Sequence, residues 1–203
     1  MTKIKLCGMT RHVDIAAVNE IKPDYIGFVL WEPSKRYVSK ETAAELKKML
    51  DPDIKAAGVF VNENPETVAT IANEGIIDLI QLHGDEDDDY IGRLRKLTDK
   101  PVIQAIRIVT EEDTKRAEHS PADHILLDSG KGGGKTIDWD LAAKIKRPYF
   151  LAGGLTTDNV GPAVEKLHPY AVDVSSGIET DGHKDPAKMQ EFSAMVQSAE
   201  RRK

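Results

Sequence analysis

The sequence is poor in cysteine, in aromatic side chains and in long apolar runs. It holds a single cysteine, Cys7, among 203 residues. One cysteine excludes an intrachain disulfide and a CxxC metal site, and it is typical of a reducing compartment. No apolar run approaches the roughly 20 residues that span a bilayer, and the N-terminus lacks the long apolar segment of a signal peptide. These absences predict a cytoplasmic protein that does not enter membranes.

An excess of positive charge is also absent. Lys and Arg number 28 against 34 Asp and Glu, for a net charge of −6, and no half of the chain is markedly basic. We therefore expect neither nucleic acid nor an anionic membrane as a partner. A hydrophobic content of 40% excludes wholesale disorder. With no Gly/Ser-rich or Pro-rich linker in the sequence, a single domain is predicted over residues 1–203.

Short apolar runs rich in Val, Ile, Leu and Tyr recur eight times along the chain. Their first residues are 22 to 30 positions apart, which leaves room for one turn and one helix between neighbours. The runs are residues 3–7, 25–30, 55–61, 79–83, 102–107, 124–128, 149–152 and 171–175. This rhythm predicts an α/β fold, a single (β/α)8 TIM barrel with a closed parallel sheet and outer helices. A doubly wound open sheet is the alternative, but eight consecutive strands would be many for it, and closure removes both sheet edges.

The segments between the runs carry helix-start signals. Pro65 suits a first helical turn, residues 156–159 (TTDN) are capping types, and Asp185 followed by Pro186 opens the last segment. The acidic run at residues 85–89 (DEDDD) is expected to cap a helix N-terminus and face solvent. Most strands are followed by Gly, Ser, Asp, Thr or Asn, so their carboxyl ends carry the loops.

Two reactive side chains stand at predicted strand ends, where a barrel of this class places its chemistry. Cys7 ends the first strand before Gly8, and Asp128 ends the sixth before Ser129 and Gly130. A lone cysteine is often only a small buried hydrophobe, whereas a carboxylate closing an apolar run is costly to bury without a partner or a site. A thiol and a carboxyl facing across a barrel mouth can act as a base and an acid.

Glycine-rich segments follow the seventh and eighth strands. Gly153 and Gly154 lie in the first segment, and Ser175, Ser176 and Gly177 form the second. In many barrels these two loops bind a phosphate through backbone N–H groups and a helix N-terminus, and glycine lets the backbone come close to the anion. Either segment alone could be an ordinary turn. Together they predict a phosphorylated small-molecule ligand, with the helix after the eighth strand adding its positive end.

A third glycine-rich segment, residues 129–136 (SGKGGGKT), invites comparison with a P-loop. The P-loop pattern requires a glycine where this chain has Ser129, so the match fails by one position. A mobile loop over a pocket is the better functional interpretation, and a plain solvated linker is the alternative.

Four further polar side chains are candidates for binding substrate. Arg36 lies in the long loop after the second strand, where its guanidinium could clamp a carboxylate, although a surface arginine is the commoner case. Gln81, His83 and Arg107 sit at the ends of the fourth and fifth strands, and His83 could equally be structural. The six histidines show no HxH or HExxH spacing, so no catalytic metal is predicted.

These residues together resemble one family closely, the phosphoribosylanthranilate isomerases of tryptophan biosynthesis. The matching segments run along the whole chain, and the opening one and the one that begins LAGGL are the most specific. They are KIKLCGMT (3–10), YIGFV with SKRYV (25–38), VFVN (59–62), IQLHGDE (80–86), ILLDS with GGGKTIDW (125–139), LAGGLTTDNV (151–160) and VDVSSGIE (172–179).

The resemblance implies an Amadori rearrangement of N-(5-phosphoribosyl)anthranilate to 1-(o-carboxyphenylamino)-1-deoxyribulose 5-phosphate, with no metal and no cofactor. It implies that Cys7 is the general base at ribose C2 and Asp128 the general acid at the ring oxygen. It also implies that Arg36 holds the anthranilate carboxylate and that the two glycine segments grip the phosphate.

Two other functions are compatible with much of the same pattern. A related isomerase of histidine biosynthesis performs the same rearrangement on another substrate, but that family uses two aspartates where this chain has Cys7 first. A non-catalytic barrel that binds a phosphorylated metabolite would need neither Cys7 nor Asp128. The sequence leaves open whether the protein is a monomer or a homodimer.

Overall fold

The computed structural model describes residues 1–129 and 137–202, and its eight parallel strands close into one barrel. Each strand pairs with its neighbours in sequence, and β1 pairs with β8 to complete the ring. In chain order, β1 to β8 are Lys3–Cys7, Tyr25–Val29, Lys55–Phe60, Leu79–Leu82, Val102–Arg107, His124–Asp128, Tyr149–Leu151 and Ala171–Val174. The predicted TIM barrel is confirmed.

Helices alternate with the strands and pack around the outside of the barrel. In chain order, α1 to α8 are His12–Ile21, Lys40–Met49, Pro65–Asn73, Asp88–Leu94, Glu111–His119, Trp139–Ala142, Val160–Leu167 and Pro186–Arg201. The expected start signals are used: Pro65 opens α3, Asp87 caps α4, and Asp185 caps α8 with Pro186 in its first turn. Among the described residues, no helix has both the length and the apolar character needed to cross a membrane.

The structure departs from the sequence prediction mainly after the eighth strand. There the chain makes a single 3-10 turn, Ser176–Ile178, and a small antiparallel hairpin of β9 (Glu179–Thr180) and β10 (His183–Lys184) before α8. Strands of two residues carry no readable alternation, so no sequence pattern marked them.

Five of the eight predicted strands end one residue earlier in the structure than in the prediction, because the last predicted residue already belongs to the loop. The predicted mobile loop at 130–136 lies outside the described residues.

The barrel separates two apolar layers. One lies between the strands and the helices, and the other fills the barrel interior with side chains that alternate along the strands. Phe150, Tyr25 and Tyr170 pack against one another at the amino-terminal end of the interior, with His124 stacked on Tyr170. Lys3 lies over the rings of Tyr25 and Tyr170. Aromatic side chains therefore fill the amino-terminal end, or bottom, of the barrel interior. Polar side chains lie at its carboxyl-terminal end, the mouth of the barrel.

Candidate active site

A cavity of about 640 Å³ opens at the carboxyl ends of the strands. Nine of the residues that the sequence singled out line it, and they come from the ends of five strands and from the loop after β2. They are Cys7, Arg36, Gln81, His83, Asp128, Gly153, Gly154, Ser175 and Ser176. Another cavity of about 670 Å³ lies between the loop after β2 and α3. Cys7 and Asp128 both line the cavity at the carboxyl ends of the strands, which makes that cavity the candidate active site.

Cys7 is the last residue of β1 and is 7% exposed. Its register partner on β2 is Gly27, and a Cβ atom at Gly27 would lie only 2.5 Å from the Cys7 sulfur. The glycine in YIGFV therefore makes room for the thiol. Burial raises the pKa of Cys7, while the charges of Lys5 and Lys184 and a hydrogen bond with Lys5 act in the opposite direction.

Lys5 lies one interior position below Cys7 and is completely buried. Its Nζ donates a hydrogen bond to Asp173 Oδ1 at 3.0 Å, and these two residues are register partners across β1 and β8. Burial alone favours the neutral amine, but Asp173 and Cys7 outweigh it and raise the pKa of Lys5. The positive charge of Lys5 beneath the thiol lowers the pKa of Cys7, but burial and the charge of Asp173 raise it, and the pKa lies above its usual value.

Asp128 ends β6 and is held by a hydrogen-bonded chain from β4. Gln81 Nε2 donates to His83 Nδ1 at 3.0 Å, which places the histidine proton on Nε2, 3.2 Å from Asp128 Oδ2. The other carboxylate oxygen faces Gly153, where a Cβ atom would lie 2.8 Å from Asp128 Oδ1. Gly153 has φ of 81°, a left-handed conformation that glycine adopts without strain. Strand β4 thus orients the carboxyl group, and the loop after β7 packs against it.

Arg36 reaches the cavity from the loop after β2, as predicted, and the structure adds a partner. Its Nε and Nη2 donate to Glu179 Oε1 and Oε2 at 2.6 and 2.9 Å, a two-point pair with a carboxylate that is 7% exposed. Lys184 Nζ donates to the same Glu179 Oε1 at 2.6 Å. Burial raises the pKa of Glu179, but its hydrogen bonds with Arg36 and Lys184 outweigh this and lower it to about 2.

The loops after β7 and β8 come into direct contact. A Cβ atom at Gly177 would lie 2.0 Å from the carbonyl oxygen of Leu155, so glycine allows the two backbones to touch. Asn159 holds the first loop from within, since its side chain donates to Gly154 O and accepts from Thr156 N, both at 2.8 Å. The structure therefore brings the two segments together, as the phosphate prediction requires.

Two helical segments follow β8 and bear on the phosphate prediction. At the N-terminus of α8 the side chain of Asp185 accepts hydrogen bonds from Ala187 N and Lys188 N. The helix that directly follows β8 is only the single turn Ser176–Ile178. Phosphate binding by the two loops and by the helix end after β8 stays a prediction.

Arg107 ends β5 at the mouth of the barrel, in register with Asp128. Its side chain is exposed and is not among the residues that line the cavity. A contact between Arg107 and substrate stays a prediction, as does the mobile loop over the pocket at 130–136, which lies outside the described residues.

Four charged residues of this site escaped the sequence analysis: Lys5, Asp173, Glu179 and Lys184. For Lys5 and Asp173 a signal existed, because both lie at interior positions of apolar strands, in the same alternation as Cys7 and Ser175. A charge at such a position must be paired or functional. Glu179 and Lys184 belong to the unpredicted hairpin and offered no such signal.

Comparison with known proteins gives one consistent match. The family model for N-(5'-phosphoribosyl)anthranilate (PRA) isomerase matches residues 4–195. The N-(5'-phosphoribosyl)anthranilate isomerase of Endomicrobium trichonymphae is 43% identical, and the alignment covers 98% of this chain and 100% of that one. That of Acetivibrio thermocellus is 44% identical, with 98% of both chains covered.

Solved structures agree with the sequence relatives. The crystal structure of phosphoribosyl anthranilate isomerase from Thermotoga maritima superposes with a TM-score of 0.89 at 35% identity, covering 98% of this chain and 100% of that one. A structure of such an isomerase in complex with reduced 1-(o-carboxyphenylamino)-1-deoxyribulose 5-phosphate superposes with a TM-score of 0.87, at the same identity and coverage.

Proposed function

The chain belongs to the N-(5'-phosphoribosyl)anthranilate isomerase family, and from this premise we infer how its residues carry the reaction. The activity is the Amadori rearrangement of N-(5-phosphoribosyl)anthranilate to 1-(o-carboxyphenylamino)-1-deoxyribulose 5-phosphate, a step of tryptophan biosynthesis. The observation that supports our assignment best is that Cys7 at the end of β1 and Asp128 at the end of β6 line one cavity.

The reaction requires an acid and a base on one substrate. In our proposal Asp128 donates a proton to the furanose ring oxygen, the C1–O bond breaks, and the nitrogen lone pair forms an iminium with C1. The Cys7 thiolate then removes the proton from C2, and the electrons of that bond neutralise the iminium to give an enolamine. The enolamine gains a proton at C1 and loses one from the C2 hydroxyl, which yields the ketose with no net change in atoms.

The remaining residues are proposed to bind substrate. Arg36 receives the anthranilate carboxylate, for which a planar guanidinium is the best-matched side chain. The loops at Gly153–Gly154 and Ser175–Gly177 receive the phosphate through backbone N–H groups. Gln81 and His83 act on the substrate through Asp128, because their hydrogen bonds run toward that carboxyl group. Arg107 remains a proposed contact at the rim of the barrel.

Two properties of the molecule belong to the same proposal. The single cysteine, with no disulfide to form, favours a cytoplasmic location. A homodimer is a reasonable assembly because a Thermotoga maritima relative is described as dimeric.

Turnover of freshly generated phosphoribosylanthranilate tests the activity and the assignment together. We expect the unmodified protein to turn over at an ordinary enzymatic rate. Cys7→Ala should lose at least about a thousandfold in kcat yet still bind the reduced product analogue, because a general base acts in the transition state. The kcat of Asp128→Asn should decrease by a similar factor, since an amide cannot donate the proton to the ring oxygen.

The exposed substitution Glu165→Gln, in a surface pair with Arg202, is the control and should behave as the unmodified protein. Binding of the analogue without turnover would make the barrel a binding protein. Faster turnover of the histidine-pathway aminoaldose would assign the chain to that reaction instead. A near-normal kcat in Cys7→Ala would show that the Cys7 thiol is not the general base.

A further inference from the structure

Three charged side chains form a row of alternating sign beside the cavity. Arg36 comes from the loop after β2, Glu179 from β9, and Lys184 from β10. Glu179 lies in the middle, with both carboxylate oxygens on Arg36 and one of them shared with Lys184. All three are substantially buried: their side chains are 21%, 7% and 2% exposed. A row this well enclosed holds its members in one geometry, unlike a surface ion pair.

The Arg36 guanidinium uses only one of its edges on Glu179. It has five N–H donors, and the pair with Glu179 takes Nε and one hydrogen of Nη2. Within the part of the chain that the structure describes, its remaining hydrogens on Nη1 and Nη2 have no protein acceptor. Arg36 also lines the cavity. The outer edge is therefore a second fork of the right shape for a carboxylate.

Lys184 anchors the row to the loop after β8. Its Nζ donates to Ser175 O at 2.9 Å and to Ser175 Oγ at 3.3 Å, besides the bond to Glu179. Ser175 Oγ in turn donates to the carbonyl oxygen of Cys7 at 3.1 Å. The row thus connects the arginine at one end of the cavity to the backbone at the end of β1.

We propose that Glu179 is a positioning residue that presents the outer edge of Arg36 to the carboxylate of the substrate. Two facts carry this inference: the side-on pair fixes the plane of the guanidinium, and Glu179 is itself held by a buried lysine. Without Glu179, a flexible arginine would share the site with a second buried cation and be driven away from it. The proposal rests on the proposed function, since it assumes a substrate that bears a carboxylate.

Binding of two matched ligands separates positioning from a merely structural role. One ligand is the reduced product analogue, which bears the carboxylate, and the other is the same compound made from aniline, which lacks it. For Glu179→Gln we expect the dissociation constant of the first to rise about tenfold to thirtyfold and that of the second to change less than about threefold. If the variant does not fold, Glu179→Asp replaces it, because its shorter side chain cannot span both cations.

Arg36→Met supplies the second half of the test. If Glu179 acts through Arg36, adding Glu179→Gln to Arg36→Met should produce no further loss of preference for the carboxylated ligand. Glu165→Gln is the matched control and should leave both constants unchanged. Equal weakening of the two ligands by Glu179→Gln, or an additive loss in the double variant, would overturn the proposal. Failure of the unmodified protein to turn over its substrate would instead contradict the proposed function.

Discussion

Lys5 is the residue that most directly affects the chemistry of Cys7. It lies in the barrel interior beneath the thiol, it is paired with Asp173, and its charge opposes the effect of burial on the pKa of Cys7. A buried lysine at this position costs desolvation that an apolar side chain would avoid. We propose that this cost serves catalysis, because a general base at Cys7 must exist as the thiolate in order to accept a proton.

Replacement of Lys5 should therefore shift the pH dependence of catalysis. In Lys5→Met the positive charge that lowers the pKa of Cys7 is gone, so this pKa rises, and the acid limb of kcat/KM should move to higher pH. A pH profile of kcat/KM measures this directly. Lys3→Met is the control, because Lys3 lies at the bottom of the barrel against two tyrosine rings.

The profile of Lys3→Met should match that of the unmodified enzyme. Lys5→Met leaves Asp173 without its partner, so Lys5→Gln serves if that variant unfolds, because its amide can donate to Asp173 without carrying a charge. If the acid limb of kcat/KM does not move in a folded Lys5 variant, Lys5 does not control the ionisation of Cys7.

At the scale of elements, the loops after β7 and β8 act as one unit. They touch through backbone atoms at Gly177 and Leu155, and the first loop also packs on Asp128 through Gly153. If a phosphate binds between these loops, as we propose, van der Waals contacts connect its site to Asp128. Remote binding energy of this kind can align the reacting carbon atoms as well as hold the substrate.

One added methyl group should separate the two loops. In Gly177→Ala the new Cβ would overlap the carbonyl oxygen of Leu155, so the backbones must move apart. We expect inorganic phosphate to compete about tenfold more weakly, and KM to rise with a smaller loss in kcat. Steady-state kinetics with phosphate as a competitor measures both effects.

The control for this experiment is Gly92→Ala in α4, where an added Cβ meets no atom within 4 Å. It should leave KM and phosphate competition unchanged. Unaltered competition in Gly177→Ala would place the anion elsewhere in the molecule.

At the scale of the whole molecule, the Arg36, Glu179 and Lys184 row joins the loop after β2 to the hairpin after β8 and should make stability depend on pH. The pKa of Glu179 is about 2 in the folded protein against an ordinary value of 4.5. Because the folded pKa is depressed, the row stabilises the protein above pH 4.5, and this contribution is lost as the pH falls toward 2. The shift corresponds to about 3 kcal/mol at most.

Glu179→Gln should therefore be less stable than the unmodified protein at neutral pH, and the two should converge near pH 2. The free energy of unfolding, measured in urea across this range, gives the difference directly. Glu165→Gln should follow the unmodified protein at every pH, since an exposed pair contributes little. A constant difference between Glu179→Gln and the unmodified protein would show that the Glu179 charge is not what stabilises the row.

The sequence by itself determined the eight strands and their order, and it placed the carboxyl ends of β1, β5 and β6 to the residue. Apolar alternation and spacing are local properties, so they suffice to place Cys7 and Asp128 at strand ends. The same local rules found the starts of α3, α4 and α8. They could not find the hairpin of β9 and β10, because two-residue strands exist only where the surrounding fold supports them.

Only the tertiary structure decided which charges meet. Lys5 and Asp173 are 168 residues apart and touch because the barrel closes β1 onto β8. Arg36 and Glu179 are 143 residues apart and meet because the loops after β2 and β8 fold over the same mouth. Pairing at such distances depends on ring closure and loop packing, which leave no periodic pattern in the chain. The candidate reactive groups could thus be predicted from the sequence, and the charges that we propose to tune and position them could not.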